Sequence, residues 1–148
     1  MQRNDLGQII RWGLLCGLVL TIFGIIGNRV VLREDWDALH VATTPSFLPP
    51  YPRVVRELIS ISFDFVDMVL MAWVFARFAD RSFTMAMKLS IVWWLVTLAL
   101  LYLAMVNSSM MPWRLSFDTT IVGLVGALAV GPIMWWGLRS GPTSSAAA

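Results

Sequence analysis

Four stretches of the chain, residues 8–27, 56–78, 85–106 and 117–138, are apolar almost throughout. Each is close to the roughly 20 residues that a helix needs to cross the hydrocarbon of a bilayer, at about 1.5 Å of rise per residue. Strands of a membrane barrel would be shorter and would alternate in polarity, and these stretches do not. A chain in lipid has to satisfy its backbone polar groups internally, so the stretches are expected to be helices. The fold expected is an all-α integral membrane protein: a four-helix bundle with one long proline-rich extracytoplasmic loop. It forms a single domain over residues 1–140, followed by a small polar tail, 141–148, expected to be disordered.

Composition agrees. Of 148 residues 58% are hydrophobic and 14% charged, against about a quarter charged in a soluble domain. The net charge of +2 comes from basic residues that flank the apolar stretches, which suits anchoring beside lipid headgroups. No basic stripe with interleaved aromatics is present, so nucleic acid is not an expected partner. Cys16 is the one cysteine and forms no intramolecular disulfide. The start, "MQRNDLGQIIRWGLLCG", is basic and then apolar, but the run is longer than a signal-peptide core and no A-x-A site follows. It reads as a retained helix ending at Gly27, Asn28 and Arg29.

The loops are uneven. Loop one contains "LREDWDALH", expected to form a short amphipathic helix on the membrane surface with Trp36 and Leu39 as anchors. The stiff segment with Pro45, Pro49, Pro50 and Pro52 follows it. The other loops, "ADRSFT" and "NSSMMPWR", are tight. Arg3, Arg11, Arg77, Arg81, Lys88 and Arg139 fall at one end; Arg29, Arg33, Arg53, Arg56 and Arg114 fall at the other. This bias, with the basic loop between the second and third stretches, puts both termini in the cytoplasm. Trp12, Trp73, Trp135 and Trp136 mark one interface, and Trp36 and Trp113 the other. Gly13-xxx-Gly17 in the first helix and Gly123-xxx-Ala127-xxx-Gly131 in the fourth are small-residue stripes, expected to bring those helices together. Pro132 removes one backbone donor from the fourth helix.

The second stretch holds two acids. Ser60, Asp64, Asp67 and Met71 are spaced by four, three and four, which sets them on one helical face. A charged Asp at the centre of a membrane helix costs roughly 2.5–3.5 kcal/mol on insertion scales. The acids are therefore expected to face the interior or a partner subunit. Asp118, at the start of the fourth helix, Asn107, Ser108 and Ser109 after the third, and Asn28 and Arg29 after the first fall at the same end. Arg29, Arg56 and Arg114 are candidate counter-ions, and an acid without one favours its neutral form. Two readings stand for Ser60, Asp64, Asp67, Asn107, Asp118 and Arg29: a polar pocket or ion pathway, or a structural cluster that fixes helix register. Asp118 also fits a helix cap.

Other chemistry is sparse. His40 is the only histidine, so haem or a histidine metal site has too few ligands. Neither a phosphate-binding glycine loop nor a nucleophile elbow occurs. No cofactor, no metal and no enzymatic activity are expected.

The stretch from Leu58 to Leu138 carries "VLMAWVFARFADRS", an apolar third helix with Trp93 and Trp94, and "NSSMMPWRLSFDTTIVGLVGALAVGPIMWW". In this it resembles a set of small bacterial four-helix membrane proteins of uncharacterised function. The resemblance implies a bacterial inner membrane and no particular activity. The paired acids and the proline-rich loop are not part of it. The function expected is that of a non-enzymatic accessory, assembly or oligomer-forming subunit, held in the bilayer as a homo-oligomer or in a larger complex. The alternative is a small proton- or cation-coupled transporter or channel using the acids of the second helix.

Overall fold

A computed structural model of the protein describes residues 3–42 and 52–139. The elements are α1 (Arg3–Ile26), α2 (Arg33–Ala42), α3 (Arg53–Phe75), α4 (Phe83–Trp94), α5 (Leu100–Asn107) and α6 (Trp113–Leu138). A wide π-type turn, Gly27–Val31, prolongs α1, and a second one, Leu95–Ala99, joins α4 to α5. Among the described residues there is no strand. Four helical stretches are long and apolar enough to span a membrane: Leu6–Val31, Glu57–Phe75, Phe83–Asn107 and Trp113–Leu138. The segment with Pro45, Pro49 and Pro50 and the 141–148 tail lie outside the described residues.

The long helices alternate in direction, as short connections require. α1 packs most extensively, on α3 along one side and α6 along the other; α6 in turn packs on α4. α3 and α4 share a much smaller contact, and α5 rests on α6. The main core lies where α1, α3, α4 and α6 meet, around Cys16, Met71, Phe75, Ala86, Val130 and Met134. The Cys16 thiol points at the Val130 carbonyl, 4.0 Å away, across the α1–α6 contact.

One end of the bundle is fastened by Arg81, the other by α2. At the Arg81 end the guanidinium donates to the Ala76 carbonyl at 2.6 Å and the Leu138 carbonyl at 3.5 Å. It thereby serves carbonyls at the ends of both α3 and α6, which have no intrahelical partner and carry the negative pole of each helix. Ser82 caps α4 by accepting from the Met85 N–H at 3.2 Å, and Asp80 accepts from the Ser82 hydroxyl. At the other end Leu32, Met111 and Leu115 form a second core with Trp36, Leu39, Tyr102 and Met105.

Three expectations are corrected. The first helix does not stop at Gly27, Asn28 and Arg29: it continues through them as the wide turn, and Gly27 is there because Val122 of α6 occupies the place of a side chain. The amphipathic helix forms, as α2, but Trp36 and Leu39 pack on the protein's own second core of Leu32, Met111 and Leu115. Gly13 and Gly17 do not meet the fourth helix. A Cβ at Gly13 would lie 2.6 Å from the Val69 Cα, and one at Gly17 2.9 Å from the Phe65 Cα, both on α3. Gly123 and Gly131 face the third long helix, at Leu98 and Met87, and the Ala127 carbonyl accepts from the Ser90 hydroxyl of α4. α1 and α6 meet instead at Gly27, Gly126 and Gly137. Both stripes are thus used, each against a different neighbour.

Gly13→Leu should therefore weaken the α1–α3 contact by about 1–3 kcal/mol or more, through overfilling. Gly24→Ala, where a Cβ meets nothing within 4 Å, should leave stability unchanged or raise it slightly. Thermal unfolding of the two variants in one detergent checks the pair.

Candidate functional site

The two acids of α3 lie one turn apart and are bound in different directions. Asp64 Oδ2 accepts from the Thr21 hydroxyl of α1 at 3.0 Å. Asp67 Oδ1 accepts from the Trp93 indole N–H of α4 at 2.9 Å. The helix periodicity explains the split: α3 sits between α1 and α4, and a step of three residues turns the side chain from one neighbour towards the other. Both carboxylates are half-buried, Met71 one turn further is fully buried, and Ser60 one turn earlier is exposed. The face predicted from the spacing thus runs from the bundle surface into its core.

The arginines are engaged elsewhere. Arg29 pairs with Glu57 at 2.6 Å, which ties the wide turn after α1 to the first turns of α3. Arg114 pairs with Asp118 at 3.9 Å along α6. Asp118 is not a cap: α6 begins at Trp113 with Pro112 at its N-cap position, so Asp118 lies in the second turn. Asn107 is exposed at the end of α5. The Arg56 and His40 side chains lie outside the described residues. Among the described residues neither Asp64 nor Asp67 forms an ion pair. Both instead accept from neutral donors.

Four further residues, not singled out as site residues from the sequence, belong here. Thr21 and Trp93 hold the acids. Tyr102 on α5 packs against the second core of Leu32, Met111 and Leu115. Thr119 on α6 is buried, and among the described residues its hydroxyl has no hydrogen-bond partner. It sits on the α6 face between Leu115, which packs with Tyr102, and Gly123, which meets Leu98. The half of the bundle nearer α2 therefore receives polar side chains from all four long helices. Trp93 was the one detectable in advance. An indole N–H at the middle of an apolar helix needs an acceptor, and the acids of the second stretch are the strongest acceptors available. Its neighbour Trp94 follows the same rule and donates to the Thr120 carbonyl at 3.0 Å.

An ionised carboxylate offers about four acceptor positions, and each of these uses one within the chain. α5 makes little contact with α3, and α5 has no buried residue. Asp67 thus stands at a lateral seam between α3 and the third long helix, and Asp64 stands one turn away against α1. Among the described residues no group of three His, Cys, Asp or Glu side chains is placed to hold a metal ion.

No protein-family model, curated protein or solved structure matches the chain.

The hydrogen-bond pattern has a direct test. Asp64→Asn and Asp67→Asn keep an acceptor for Thr21 and Trp93, and both should fold. Asp67→Ala strands the Trp93 N–H and should cost about 1–3 kcal/mol. In a double-mutant cycle of Asp67→Ala with Trp93→Phe, the two changes should couple by about 1 kcal/mol, measured by unfolding in detergent.

Proposed function

We propose that the protein is a multi-pass, non-enzymatic membrane protein that works as an accessory or assembly subunit, joined laterally to a second copy or to another membrane chain. The observation that carries this reading is the seam. Asp67 stands half-buried against a helix, Phe83–Asn107, in which Ala86 and Ser90 alone are fully buried, and Asp64 stands half-buried one turn away. Lipid tails cover the apolar residues of that helix but offer nothing to the remaining carboxylate positions. A neighbouring polypeptide with hydroxyl, amide or cationic groups satisfies them, and interhelical hydrogen bonds of that kind serve as specific glue between membrane helices.

A second reading, a small proton- or cation-coupled transporter, draws on the lack of an ion pair at either acid among the described residues. An acid held by neutral donors is free to take up and release a cation. The readings separate in one preparation. Single cysteines at Val96 and Leu103, both exposed on the third long helix, should give discrete cross-linked products in native membranes, and one at Leu14 on the far side of α1 should not. The buried Cys16 contributes no background. Absence of products from Val96 and Leu103, together with a pH-dependent flux in proteoliposomes that Asp64→Asn abolishes, favours the transporter.

Orientation belongs to the same proposal: an inner, plasma membrane with both termini in the cytoplasm, from the distribution of basic residues. In intact cells an impermeant thiol reagent should label a cysteine at Ser46 and spare one at Ser144. The reverse pattern contradicts it.

A further inference from the structure

We infer that a groove along α1 is a binding site for one anionic phospholipid of the leaflet at the Arg81 end. The inference rests on the membrane reading but is independent of the seam, which lies on the other side of α3. The groove, about 730 Å³, is bounded by residues of α1 from Gly7 to Leu18, Arg11 and Trp12 among them, and by Phe65 of α3. That volume falls within the roughly 300–1,000 Å³ of small-molecule sites.

Shape, length and charge agree on the occupant. From Gly7 to Leu18 the groove runs about 17 Å along the helix axis. One leaflet contributes half of a hydrocarbon core about 30 Å thick, so an acyl chain lying in the groove matches it in length. The lining is apolar apart from one cation. Arg11 is exposed and, among the described residues, has no ion pair or hydrogen bond. It lies towards the end where headgroups are expected. There Trp12 packs on Trp136, Arg77 stacks over Trp73 and Arg139 over Trp135, as interfacial aromatic and basic residues do. A long side chain at this depth reaches back to the headgroup layer, where it meets a phosphate. Gly7 keeps the mouth open: a Cβ there would meet nothing within 4 Å, so a larger side chain fills the groove without disturbing the fold.

The test is native mass spectrometry of the full chain in detergent, titrated with phosphatidylglycerol and separately with phosphatidylcholine of the same acyl chains. The wild type should hold one phosphatidylglycerol about fivefold tighter than phosphatidylcholine, the effect of one cation beside an anionic headgroup. Arg11→Gln should bring the two lipids within about twofold of each other. Gly7→Leu should weaken both lipids alike, by roughly tenfold, with an unchanged unfolding temperature. Inorganic phosphate should displace neither. Equal binding of the two lipids by the wild type, undiminished binding by Gly7→Leu, an unchanged preference in Arg11→Gln, or displacement by inorganic phosphate each overturns the inference. So does a dimer that Gly7→Leu dissociates while lipid binding persists, because the groove then belongs to a second copy. The cross-links predicted from Val96 and Leu103 stand apart from all of these results, and a groove dimer would show separately as a product from Leu14.

Discussion

The arrangement depends on how closely α1 approaches its two neighbours. Gly13 and Gly17 let the backbone of α3 come against α1 on one side, and Gly126 and Gly137 of α6 admit Leu20 and Trp12 on the other. In lipid, where apolar surface gains little by leaving one oily environment for another, such backbone approach is a main source of helix association. With α1 fixed between α3 and α6, the remaining long helix is left to pack mainly on α6. Its contact with α3 is small as a consequence, and the polar residues of α3 come to lie beside it.

That geometry decides what the acids meet. Asp64 reaches back to α1, and Asp67 reaches across the small α3–α4 contact to Trp93. The Asp67–Trp93 bond is thus a polar tie between two helices that share little packing. Beyond it the chain departs from α3: the Thr97 hydroxyl donates to the Trp93 carbonyl at 2.8 Å, at the start of the wide turn. Back-bonding of this kind bends helices, and α5 continues along α6. The seam, the tie and the wide turn form one local arrangement, and the lateral-assembly reading rests on it. The groove on the free side of α1 is a different surface, apolar with one cation, and suits lipid where the seam suits protein.

Much of the architecture was legible because hydrophobic length is a strong signal. The four apolar stretches and the amphipathic α2 stand within a few residues of where the sequence puts them. The pairings were less legible, for stated reasons. A glycine marks a close approach without naming the partner, so sequence alone points Gly13 and Gly17 at the wrong neighbour and makes Gly27 resemble a stop. Arg29 was a reasonable partner for Asp64 by position at one end of the bundle, but Glu57 lies nearer the same end and takes it. Thr21 carries no distinctive signal, because a threonine within an apolar helix more often bonds its own backbone. Trp93 did carry one, in its indole N–H.

The half-buried acids of α3 are held by neutral donors from two different helices. Indole N–H hydrogen exchange, followed by NMR in micelles, tests this most directly. The account predicts that the Trp93 proton exchanges far more slowly than that of Trp113, which is 71% exposed, and that Asp67→Asn shifts the Trp93 resonance while leaving Trp94 in place. A Trp93 proton that exchanges as fast as Trp113 and ignores the substitution contradicts it.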